Sequence, residues 1–142
     1  TRRHWDSPSF VRFRHRFIRG WDDTGYHYLI GNDTWFTEDG KVYFGRNEIY
    51  AGAHALGYNY NSLGVCLVGN FDRRYPSRNQ FPALYELLAR KMIQYDVPSS
   101  HILGHREIEG VEKTCPGSKP NMSLIRKFVQ QKYEQMLNQP TQ

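Results

Sequence analysis

Residues 62–71 read SLGVCLVGNF, and Val65, Cys66, Leu67 and Val68 in this stretch are apolar at consecutive rather than alternating positions. A strand with one wet face alternates polar and apolar side chains; one covered on both faces reads as a continuous apolar run. The stretch is therefore expected to form the middle of a sheet with helices on either side. Upstream, YHYLIG from Tyr26 has the pattern of a short strand. TEDGKVYFGR then sets an Asp39–Gly40 turn before a second strand over Lys41 to Gly45, the composition of a hairpin. Downstream, Phe81, Leu84, Leu87, Leu88, Lys91 and Met92 recur at helical spacing over Asn79 to Tyr95. Pro82 is tolerable in the first turn of that helix, and Val97–Pro98 ends it.

Two more helices complete the pattern. SPSFVRFRHRFIRG offers Ser7 as cap, Pro8 at the first helical position, a stripe of Phe10, Phe13 and Phe17, and Gly20 as terminator. Leu124, Ile125, Phe128, Val129 and Tyr133 mark a last helix over about Ser123 to Leu137, with NQPTQ fraying after it. The 142 residues have the size of one domain, and neither an internal repeat nor a low-complexity tract interrupts them. The expected fold is α/β: a single domain with a central mixed β-sheet flanked by helices, mixed because the hairpin adds an antiparallel strand.

The formal charge of +5, from nineteen basic against fourteen acidic residues, favours encounter with an anionic polymer, either nucleic acid or a bacterial wall. Arg12, Arg14, Arg16 and Arg19 give the first helix a basic face. No nucleic-acid-binding motif accompanies them, so no nucleic acid is expected as partner. Fifteen per cent aromatic content supplies rings for a core or for stacking on sugars. No amino-terminal segment has signal-peptide form and no stretch reaches the roughly 18 apolar residues of a membrane span. A soluble monomer with no membrane partner is expected. The two cysteines, Cys66 in the apolar run and Cys115 in a turn, suggest two thiols rather than a disulfide framework.

The chemistry concentrates in residues 104–117, GHREIEGVEKTCPG. His105 and Cys115 are both ligands for a borderline-soft metal, zinc being the natural choice, and the ten-residue separation lets the chain double back so that both reach one ion. From these two alone the alternative stays open: a hydrogen-bonded histidine and a small buried cysteine.

RGWDDTGYHYLIG, DGKVYFGR, AGAHALGYNYNSLGVCLVGNFD and HILGHRE…KTCPG, in this order, resemble the zinc-dependent N-acetylmuramoyl-L-alanine amidases of phages and bacterial walls. The peptidoglycan recognition proteins of animals are similar in fold, many with a local disulfide pair that this chain lacks. The resemblance implies that His105 and Cys115 coordinate zinc, that Lys113 points into the site, and that Tyr26 faces the metal as oxyanion partner or proton carrier. It further implies that His54, Asn59 and Asn61 line a groove for the glycan and stem peptide of peptidoglycan. For the asparagines, ordinary turn chemistry is the competing reading. Trp21 is expected to anchor the end of the first helix. The implied activity is hydrolysis of the amide between N-acetylmuramic acid and L-alanine, in a bacteriolytic endolysin or a wall-remodelling enzyme. Such a protein would be phage-encoded and held in the host cytoplasm before lysis, or delivered to the wall. The alternative is a non-catalytic peptidoglycan-binding module.

One part of the family pattern falls outside the sequence. Relatives carry the first zinc ligand on an early strand, and counting back from Tyr26 by the usual spacing lands at or just before Thr1. The domain over 1–142 is thus expected to lack that strand and ligand. His4, 22 residues before Tyr26, is the nearest substitute, though closer than the usual loop allows.

Overall fold

The computed structural model describes residues 25–34 and 37–139. Three strands, β1 (Tyr28–Ile30), β2 (Val42–Phe44) and β3 (Val65–Leu67), are followed by helices α1 (Gln80–Tyr95) and α2 (Met122–Leu137). Short 3₁₀ turns at Ser99–His101 and His105–Glu107 lie between the helices. The helix expected over Ser7–Gly20, together with Trp21 and His4, lies outside the described residues.

The strand order is β2–β1–β3. β1 runs antiparallel to β2, with Leu29 opposite Tyr43, and parallel to β3, with Leu29 opposite Cys66. The sheet is mixed, as the hairpin required. One expectation is corrected: among the described strands the middle position belongs to β1, not to the Ser62–Phe71 stretch. The continuous apolar run in β3 reflects burial on both faces rather than pairing on both edges. Leu67 joins a cluster with Tyr28, Ile30, Leu84, Leu87, Met92, Ile125 and Val129, while Cys66 meets Leu29, Tyr26 and Tyr43 on the opposite face.

The hairpin turns where the sequence placed it. Gly40 adopts φ +76°, and a side chain there would approach the Asn79 carbonyl oxygen to 2.6 Å, so the turn abuts the start of α1. α1 begins within one residue of its expected start and ends at Asp96 in the left-handed region (φ 52°), whose N–H caps Met92. α2 is capped by Asn121, whose side chain accepts from the Leu124 N–H at 3.2 Å. The helices pack on each other, Tyr85 stacking on Phe128 at 5.6 Å between ring centroids. Each core Leu or Ile contributes about 1.5–3 kcal/mol through burial.

Gln80 is the exception in this apolar layer. Fully buried at the first position of α1, it donates from Nε2 to the carbonyls of Ile30 (3.1 Å) and Val68 (2.9 Å) and accepts from the Ser77 N–H (3.0 Å). It thereby ties the helix start to the C-terminal ends of the two parallel strands.

Candidate functional site

His27 follows directly from the strand pattern: in YHYLI it shares a face with Leu29 and is 1 % exposed. Gly64 donates its N–H to His27 Nδ1 at 3.0 Å, so Nε2 carries the proton and donates to the Tyr50 carbonyl at 3.1 Å. Both ring nitrogens are satisfied. His27 therefore acts as a strut between β3 and the long loop 45–64. The sequence reading did not single it out, although its place on the buried face of an alternating strand was the available signal.

His54 sits on that loop with its ring edge-on to His27, centroids 5.6 Å apart at 69°. Gly52 and Gly64 form the walls of its slot. Burial, together with the proximity of His27, His105 and Arg46, lowers its pKa to about 4, partly opposed by a hydrogen bond to the Ser62 main chain. Nε2 remains a buried acceptor with no partner. The influence of His105 on His54 puts the two loops in one electrostatic neighbourhood. Asn59 is committed to the loop: its Oδ1 accepts from the N–H groups of both His54 and Ala55 at 2.9 Å. This is turn chemistry, and it holds His54 in place. Asn61 is exposed. Tyr26 is half-buried beside Leu29 and Cys66, with its carbonyl accepting from the Arg46 N–H at 2.9 Å.

His105 opens the 3₁₀ turn His105–Glu107, and Glu107 accepts from the Gly104 N–H at 2.8 Å. Burial lowers the His105 pKa, and the Lys113 ammonium lowers it further, so the ring is held neutral and able to donate a lone pair. Cys115 is exposed, not the small buried residue of the bland alternative, whereas Cys66 is buried; both are thiols. The Cys115 turn is fastened to the segment that follows β3. Asp72 accepts from Thr114 Oγ1 and from the Ser118 N–H, each at 2.9 Å, and Lys119 donates to the Phe71 carbonyl at 2.9 Å. Gly117 (φ +121°) is required there, since a side chain would stand 2.5 Å from the Phe71 carbonyl carbon. Asp72, like His27, was not read from the sequence.

A neutral imidazole and a thiol on adjacent turns form a donor pair of the type zinc prefers. Among the described residues no group of three His, Cys, Asp or Glu side chains is placed to hold a metal ion. Chemically, the two side chains suit a metal as two donors of a larger set. No described helix is long and apolar enough to cross a membrane.

The model of the N-acetylmuramoyl-L-alanine amidase family matches residues 3–118, and the chain belongs to that family. It is 37% identical over 103 residues to the endolysin of Escherichia phage T7, covering 69% of this chain and 62% of that protein. Peptidoglycan-recognition protein LB of Drosophila melanogaster is 36% identical over 106 residues, 74% of this chain and 42% of its own length. Among solved structures, the N-acetylmuramoyl-L-alanine amidase LysC from Clostridium intestinale superposes with TM-score 0.77 at 28% identity, over 88% of this chain and 76% of that one. The chain therefore spans less than two thirds of the length of the curated relatives it matches.

Proposed function

We propose that the protein hydrolyses the amide bond between N-acetylmuramic acid and L-alanine in peptidoglycan, with zinc held by His105, Cys115 and one further ligand outside the described residues. The observation that supports this reading is that the Lys113 charge acts on His105 while the Arg106 N–H bonds the Cys115 carbonyl at 2.7 Å, which sets the His105 and Cys115 turns side by side. The chemistry such an ion supplies is Lewis acidity towards the scissile carbonyl and a more acidic water.

The protein's own groups do the rest. Burial, and after it Lys113, favours the neutral form of His105, and Lys113 presents an ammonium to the negative charge that develops on the carbonyl oxygen, an interaction strongest in the transition state. Tyr26 contributes a hydroxyl that donates to the same oxygen or passes a proton to the leaving amine. His54, neutral at physiological pH, gives the groove wall an acceptor, while Asn59 fixes the loop that carries it. Exposed Asn61 offers its amide to sugar or peptide. The +5 charge favours approach to an anionic wall.

The test is clearing of purified cell walls in a zymogram by full-length protein, with chelator and with zinc restored. Clearing that is abolished by chelation and returns with zinc supports the proposal; no clearing, or clearing indifferent to the metal, defeats it. A second reading, recognition without cleavage, draws on the absence of a three-donor group among the described residues. Titration of muropeptide into the protein decides between them: binding heat with no release of L-alanine peptides favours recognition.

A further inference from the structure

His105 and Cys115 stand at the two ends of a loop whose residues Glu109, Gly110, Glu112, Lys113 and Thr114 are exposed. Such a loop does not by itself fix the separation of its ends. Asp72 and Phe71 fasten the Cys115 turn to the segment that follows β3. Arg106 links the two turns directly by hydrogen bonds.

Three donors of this one residue reach across. Its main-chain N–H donates to the carbonyl of Cys115 itself at 2.7 Å. Guanidinium Nη1 donates to the Gly117 carbonyl and Nη2 to the Pro120 carbonyl, the latter at 2.8 Å. The neighbouring carboxylate of Glu107 is engaged instead by Arg126 at 2.8 Å, so what the guanidinium supplies here is its rigid fork of donors rather than a charge pair. Arg106 follows His105 in sequence, and its bonds bracket Cys115. Any displacement of one turn is therefore transmitted to the other through a half-buried, planar group.

We propose that Arg106 is a positioning residue that sets His105 and Cys115 in a single geometry for a metal ion, acting through the main-chain carbonyls of Cys115, Gly117 and Pro120. This inference rests on the metal reading of the site given above. A lysine retains the charge and loses the fork; an alanine loses both. Outer partners of metal ligands typically change affinity by roughly 10- to 100-fold when removed.

The experiment is cobalt titration of full-length wild type, Arg106→Ala and Arg106→Lys, following the thiolate-to-cobalt absorption band, alongside amide hydrogen exchange of the metal-free proteins over residues 114–119. Arg106→Ala is expected to weaken cobalt affinity roughly 10- to 100-fold. Arg106→Lys should fall between the two, KM for cell walls should stay unchanged, and added guanidinium should restore the band in Arg106→Ala. Wild-type affinity in a folded Arg106→Ala overturns the proposal. Should Arg106→Ala fail to fold, Arg106→Lys decides in the same way. If wild type itself gives no thiolate band, the metal reading fails and the positioning role for a metal fails with it. The exchange data then report the link alone, and unchanged exchange in Arg106→Lys removes that as well.

Discussion

The imidazole of His54 stands edge-on to that of His27, 5.6 Å between centroids, in a slot walled by the bare backbones of Gly52 and Gly64. A side chain at Gly64 would stand 2.4 Å from His54 Cδ2, well inside contact distance. Gly64→Ala is therefore expected to destabilise the fold by about 1–3 kcal/mol through overpacking. Urea unfolding measures this, and the double variant Gly64→Ala/His54→Ala should recover part of the loss, since the colliding ring is gone. Additive penalties would place the strain elsewhere.

The depressed pKa of His54, about 4 against an ordinary 6.5, gives the protein an acid-sensitive component of stability. Between those values the unfolded chain binds a proton that folded His54 refuses, so stability from this group is full above about 6.5 and declines as pH falls towards 4. A titration of the His54 ring protons by NMR checks the value. Thermal unfolding across the same window should slope less in His54→Asn.

Glu48 behaves in the same sense, in a lower pH window. Burial pushes its pKa up, but hydrogen bonds from Lys91 (2.6 Å), Tyr28 and Tyr95 outweigh it and hold the carboxyl at about 2. The cluster's contribution is present above the ordinary value of 4.5 and is lost as pH falls through about 2. Glu48→Gln leaves the Lys91 ammonium, largely buried, without its carboxylate, and should cost about 2 kcal/mol at neutral pH. The gap between variant and wild type, followed by chemical denaturation, should close as the pH is taken down through that window.

Gln80→Leu removes the amide that joins α1 to Ile30 and Val68, leaving the Val68 carbonyl and the Ser77 N–H to find other partners. An expected loss of about 2–3 kcal/mol follows from unsatisfied buried groups. Gln80→Glu, isosteric but presenting oxygen to two carbonyl oxygens, should be worse still. Equal stability of the glutamate variant would show that shape alone matters there.

Lys113→Ala tests the proposed transition-state role. Cleavage of cell walls should slow by about a hundred- to a thousandfold in kcat with KM little changed, the signature of a group that acts only on developing charge. A rise in KM at constant kcat would assign Lys113 to substrate binding instead.

Much was legible in the sequence because periodicity and turn chemistry are local. The hairpin about Gly40, the two helices and their buried stripes of Leu84, Leu87, Met92, Ile125 and Val129 follow from spacing that any three or four residues reveal. His105, Lys113 and Cys115 share one short segment, so their nearness in the chain was legible too. Strand order was not. A continuous apolar run reports burial on two faces but says nothing of which neighbour occupies each edge, and among the described strands pairing gave the middle place to β1. Only the tertiary structure could assign Asn59 to the loop rather than leave both readings open, give His27 its two partners and turn Gly52 and Gly64 into the walls of a slot. The bonds of His27 join groups far apart in the chain, 37 residues between His27 and Gly64 and 23 between His27 and Tyr50. A hydrogen bond across such a span exists only once the backbone has brought its donor and acceptor together.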